Sequence, residues 1–155
     1  MSDDLWRRSG VELAELIRSR QVTSTEATTS VLGRIADLNP RLNAIVFDLA
    51  DRALAQAAEA DAAVARGDAL GLLHGVPVTV KENVDLVGAP TTNGVAACAD
   101  VYPPDASVVA ANLRRAGAVF VGRTNTPEFS MRGTTDNPLR GRTFNPWDDE
   151  ASAGG

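Results

Sequence analysis

Apolar residues in the first 70 positions recur at the three- and four-residue spacing of a helix face. Ser9 and Glu12 are spaced as a capping box, in which each side chain satisfies the other's free backbone N–H. Leu13, Leu16 and Ile17 follow on one face of the helix that this box would open. Thr23-Ser24-Thr25-Glu26 offers a second box, and Ala27, Val31, Ile35 and Leu38 continue at helical spacing. Asn39-Pro40 is expected to stop this second helix, because the residue before a proline is pushed out of the α region. Ala44-Ile45-Val46-Phe47 reads as a short apolar link of strand length. From Leu49 to Arg66 the chain is rich in alanine, the best helix former, and Gly67 closes the third predicted helix.

At Gly71 the period changes. Val76-Pro77-Val78-Thr79-Val80 is a β-branched run bounded by glycine and predicts a buried strand. Loop chemistry follows through Gly88-Ala89-Pro90 and Thr91-Thr92-Asn93-Gly94. Asp105 or Ser107 can cap a helix running to about Ala116, with Val108, Val109 and Leu113 facing inward and Gly117 as its left-handed stop. Ala118-Val119-Phe120-Val121 predicts a second buried strand. Strand, helix, strand implies a parallel pair joined by a right-handed crossover, the seed of an α/β sheet. Pro127 starts a further short helix, after which the chain turns polar and glycine-rich. The expected organisation is a helical opening region over residues 1–70 and the start of an α/β core over residues 71–155.

Composition narrows the chemistry. Fifteen basic and 20 acidic residues give a formal charge of −5, a surface unsuited to nucleic acid, which wants a basic face. Cys98 is the single cysteine and His74 the single histidine, too few for a disulfide or a zinc centre. The start lacks the pattern of a secretory signal, and no run reaches the length of a membrane span. These features predict a cytoplasmic chain with no nucleic-acid or membrane partner.

Lys81 stands out, at the C-terminal end of the first predicted strand, where parallel α/β sheets build their sites. A lysine there is usually solvated or half of an ion pair. Its flanks change that weighing. Val76-Pro77-Val78-Thr79-Val80-Lys81-Glu82-Asn83-Val84-Asp85 is followed by Gly88-Ala89-Pro90-Thr91-Thr92-Asn93-Gly94. Then come Gly117-Ala118-Val119-Phe120-Val121-Gly122-Arg123-Thr124-Asn125-Thr126-Pro127-Glu128-Phe129 and Asn145-Pro146-Trp147-Asp148. These four blocks, in this order, resemble the amidase signature family of serine hydrolases, and the resemblance runs from about Leu5 to Gly155.

The resemblance implies the N-terminal part of an α/β amidase-signature fold, with helices followed by the first strands of a mixed, helix-flanked sheet. It implies amide hydrolysis by a Ser–cisSer–Lys triad through an acyl-serine intermediate, with Lys81 as its lysine and no cofactor. The family's serines follow a glycine pair that Gly154-Gly155 match, so the bridging serine is expected next and the nucleophile beyond it. These 155 residues are therefore expected to be inactive alone. The loop from Ser130 to Asn137 matches one beside the family's substrate pocket, which makes Met131 and Thr134 candidates for contact with a small-molecule amide. A glutaminase-type subunit of a tRNA-dependent amidotransferase is the alternative, as is a non-catalytic fragment, and a homo-oligomer of the intact enzyme stays open.

The triad has a physical logic. An amide carbonyl is a poor electrophile, so the serine needs a base within hydrogen-bond reach. A lysine serves only when neutral, and burial among apolar residues favours that form. Ser152 in Ser-Ala-Gly-Gly, His74 beside Gly75, and Cys98 among alanines read as structural residues.

Overall fold

The computed structural model describes residues 4–155. In chain order it holds a 3-10 turn, Leu5–Arg7, and the helices α1, Gly10–Arg18, and α2, Ser24–Leu42. Strand β1, Ile45–Asp48, precedes α3, Ala50–Arg66, and β2, Pro77–Lys81. Then come a 3-10 turn at Ala96–Cys98, α4 at Val108–Arg115, β3 at Val119–Thr124 and a last 3-10 turn at Glu128–Ser130. The sheet order is β1-β3-β2. β1 runs antiparallel to β3, whereas Val119 N–H donates to Val76 O and Glu82 N–H to Thr124 O, so β2 and β3 advance together. The fold is thus a mixed α/β arrangement, as expected.

Two compact units divide the chain. The first takes residues up to Ala36, Leu49–Thr79 and Ala111–Val121. Its core is apolar. One cluster joins Leu5, Leu13, Ile17, Ala27 and Val76, with Val22, Val64 and Leu73 against it. The other sets Ala53 and Ala57 of α3 on Val119 and Val121 of β3, with Val31, Leu32 and Ile35 of α2 alongside. Alanines at i and i+4 share a helix face and let the neighbouring strand approach closely. Both capping boxes form. Ser9 Oγ accepts from Glu12 N–H while the Glu12 carboxylate accepts from Ser9 N–H, and Thr23 and Glu26 repeat the exchange. Asp61 adds to the second, taking the N–H groups of Ser24 and Thr25. α3 and α4 end on Gly67 and Gly117 at φ of +78° and +87°, conformations that cost a side chain dearly.

The second unit takes Asp37–Asp48, Val80–Ala110 and Gly122–Gly155. Here three expectations are corrected. α2 does not stop at Asn39-Pro40; it runs to Leu42 with Pro40 inside it. The Asn43 N–H bonds Asn39 O past the proline, and Asn43, at φ of +50°, makes the stop. The Asn39 side chain explains the persistence: its Oδ1 accepts from Ala44 and Ile45 N–H, and its Nδ2 donates to Ile45 O. That network outweighs the preference of a pre-proline residue. Val108 and Val109 are 75% and 56% exposed instead of inward, and Ala110 is the residue of α4 that is buried. Ser107 is the cap, its Oγ accepting from Ala110 N–H. Thirdly, β2 is buried on one face only: Val76 and Val80 are covered, Thr79 is exposed, and the strand lies at a sheet edge. β3, between the other two, is buried from Val119 to Arg123. Among the described residues no helix is long and apolar enough to cross a membrane.

Candidate active site around Lys81

Lys81 closes β2, and the chain turns at once: Val84 N–H donates to Lys81 O at 3.0 Å. The Lys81 side chain is half-buried, and among the described residues its ammonium makes no hydrogen bond or ion pair. The turn beneath it is held by charge. Arg123, on the neighbouring strand, is fully buried. Its guanidinium donates to Val84 O at 2.6 Å, to Lys81 O at 3.3 Å and to Pro90 O. Burial lowers the proton affinity of Arg123, and the Glu82 and Asp85 carboxylates oppose that shift. An arginine stays protonated regardless.

Glu82, next to Lys81, is 0% exposed. Its Oε1 accepts two bonds from Arg140, from Nη2 at 2.7 Å and Nε at 3.1 Å, so both guanidinium donors converge on one carboxylate oxygen in a charge-assisted pair. Among the described residues Glu82 Oε2 and Arg123 Nε have no hydrogen-bond partner. Arg140 N–H donates to Asn137 Oδ1, and the Asn137 amide donates to Asn125 Oδ1 and Thr126 O at the end of β3. Asn83 donates to Ser130 Oγ, which also pairs with Thr126 Oγ1, both at 2.8 Å. The turn carrying Lys81, the end of β3 and the loop from Ser130 to Arg140 thus form one polar cluster.

The other candidate residues are placed differently. Thr134 is exposed and lines a cleft of about 360 Å³ with Thr135, Asp136, Arg142, Thr143 and Ser152. Met131 is 82% exposed and is not part of that lining. Thr135 Oγ1 donates to Gly154 O at 2.9 Å, and Ser152 Oγ donates to Gly133 O while accepting from Gly154 N–H. Ser152 is therefore engaged in holding the loop that carries the glycine pair. His74 contacts Ala60 O through Nε2, and Cys98 is half-buried in a 3-10 turn. Among the described residues no group of three histidine, cysteine, aspartate or glutamate side chains stands together as a metal site would need.

A family model described as Amidase matches residues 26–155. The chain belongs to the amidase family. It is 51% identical over 151 residues to the indoleacetamide hydrolase of Bradyrhizobium diazoefficiens, covering 97% of this chain and 29% of that protein. It is 41% identical over 152 residues to a glutamyl-tRNA(Gln) amidotransferase subunit of Acidothermus cellulolyticus, covering 98% of this chain and 30% of the relative. Among solved structures, a bacterial aryl acylamidase of the amidase signature enzymes superposes with a TM-score of 0.89 at 32% identity, over 96% of this chain and 31% of the other. The chain thus spans about three tenths of the length of the proteins it matches.

Reading the sequence singled out Lys81 but gave no role to Glu82, Arg123 or Arg140. A signal was present. Arg123 directly follows Val119-Phe120-Val121-Gly122, a run that predicts a strand closed to water, and a cation at the end of such a run needs partners.

Proposed function

We propose that the full-length protein hydrolyses a carboxamide through an acyl-serine intermediate, with Lys81 as the general base and the two serines of the triad outside these 155 residues. The observation that carries this reading is Lys81 itself, without a side-chain partner among the described residues, at the end of β2 in a turn whose other charged group, Glu82, is engaged and whose carbonyls are held by Arg123. A side chain with no structural bond of its own is free to exchange protons with a serine brought to it. Neutral Lys81 would take the nucleophile's proton through the bridging serine as the Oγ–carbonyl bond forms. The ammonium would then return that proton to the leaving nitrogen as the C–N bond breaks, and water would release the acid by the reverse sequence. Residues 1–155 alone would supply the base and no nucleophile, and so turn over no amide. Thr134, on the wall of the cleft of about 360 Å³, is the better placed of the two candidates for substrate contact, and Met131, exposed and outside that lining, is the weaker one.

The 51% identity to an indoleacetamide hydrolase favours a primary amide on an aryl-bearing acid. The likeness to a glutamyl-tRNA(Gln) amidotransferase favours a second reading, in which the amide is that of glutamine and the ammonia is handed to a partner. Ammonia release from indoleacetamide and from glutamine by the purified full-length protein separates the two. Replacing Lys81 by alanine is expected to lower either activity by about 10²–10⁴-fold, the usual worth of a general base, with the melting temperature nearly unchanged. A variant keeping more than about a tenth of the rate would end the base assignment.

A further inference from the structure

We infer that Arg123, backed by the Glu82–Arg140 ion pair, is a positioning residue that sets where Lys81 stands, an inference that rests on the reading of Lys81 as the base. Among the described residues the Lys81 side chain makes no bond, so its backbone, which fixes where the side chain begins, is the part of it that the structure holds. That backbone is held by Arg123, which bonds the carbonyls at both ends of the turn, Lys81 O and Val84 O, and reaches on to Pro90 O. The Glu82 carboxylate opposes the effect of burial on this cation and is itself held by Arg140. Through Asn137 the same cluster reaches Asn125 and Thr126, and the loop it belongs to is tied by Thr135 to Gly154. The arrangement therefore indexes the lysine against the glycine pair on which the family's serine segment follows.

Stability alone does not account for such a cluster. Apolar side chains of equal volume commonly match or exceed a buried ion triad in stability, because desolvation cancels most of the Coulomb gain. What charge adds is a single geometry. A guanidinium offers several donors in a rigid plane, and three carbonyls satisfied at once leave the turn few ways to shift.

A double-variant cycle on the full-length protein tests this, read as the rate of labelling by a serine-reactive fluorophosphonate, with circular dichroism melting as the check on folding. Arg123→Lys keeps the charge and loses the fork. It is expected to slow labelling by about 10–100-fold, the scale on which misplacement by an ångström acts. In a Lys81→Ala background the same change is expected to alter the rate by no more than about twofold, because there is no base left to misplace. An equal loss in both backgrounds would assign Arg123 a merely structural role and overturn the inference, as would an Arg123→Lys rate within about twofold of wild type. Should Arg123→Lys fail to fold, Glu82→Asp, which keeps the charge and shortens the arm to Arg140, goes through the same cycle. Failure of both to fold would make the cluster a folding element and end the proposal. Labelling of Lys81→Ala at the wild-type rate would instead remove the base reading itself, an outcome distinct from all the others.

Discussion

The two compact units bury different kinds of atom. In the unit containing α1 and α3 the closed interior is alanine, valine, leucine, isoleucine and phenylalanine, and among the described residues its buried polar side chains are Ser24 and Thr28 on α2. In the unit containing β1 and the turn after β2, the buried polar side chains include Glu82, Thr91, Thr92, Arg123, Asn125, Thr126, Thr135 and Asn137. The first interior is non-directional: any side chain of suitable size and polarity satisfies it to a first approximation. The second is directional, because each buried donor or acceptor must find one particular partner or cost free energy. What differs is the kind of substitution each region tolerates, and three measurements on the full-length protein bear on that difference.

The largest effect is expected from Glu82→Leu. Leucine is of similar size and would suit an apolar interior. Here it leaves Arg140 without its carboxylate and Arg123 buried without the carboxylate that most strongly offsets its burial. Removing one member of a buried ion cluster costs about 3–5 kcal/mol, which would show as a marked fall in the denaturant midpoint. A loss of less than about 1 kcal/mol, the range of an exposed ion pair, would mean that this region is no more directional than the other.

A smaller effect, of the opposite origin, is expected from Ala57→Leu. Ala57 is 0% exposed and packs on Val119 and Val121. The added carbons have nowhere to go, and overpacking a closed interior costs about 1–3 kcal/mol. Polarity is unchanged, so the penalty measures space alone. A neutral result would show that α3 and β3 can part to accept the bulk, and that this interior is looser than its alanines indicate.

The same division explains how much could be read from sequence. α1, α3, the caps at Ser9 and Thr23 and the stops at Gly67 and Gly117 were legible, because each depends on residues within a few positions of one another. The four blocks around Lys81 were legible as a family resemblance, and with them the identity of the lysine. What failed depended on partners beyond the local pattern. Pro40 should have broken α2, but Asn39 reaches over it to Ala44 and Ile45. Val108 and Val109 have the spacing of an inward face, yet the buried position of α4 falls on Ala110. The roles of Glu82, Arg123 and Arg140 arise from pairings across 42 residues, between Lys81 and Arg123, and across 58, between Glu82 and Arg140. Hydrophobic periodicity carries no information about either.

The smallest effect concerns the legible end of the molecule and sharpens the contrast through pH. Ser9→Ala removes the Oγ that accepts from Glu12 N–H and that also donates to the Glu12 carboxylate. Loss of a serine cap costs about 1 kcal/mol, well below either change above. The Glu12 carboxyl is held below its ordinary value by the Ser9 backbone N–H first and the Ser9 side chain second. A carboxyl whose proton affinity is lower in the folded state contributes stability that is fully present above its unfolded pKa. That contribution is lost as pH falls through the folded value. Ser9→Ala removes one of the two bonds that lower it, so the gap between wild type and variant should be widest near neutrality and narrow on acidification. It should not close fully, since Ser9 Oγ still accepts from Glu12 N–H once the carboxyl is protonated. Melting curves of both proteins between about pH 7 and pH 3, spanning the glutamate range, give the comparison. A gap independent of pH would mean that the cap acts through its backbone bond alone, and a gap that widens in acid would contradict the linkage altogether.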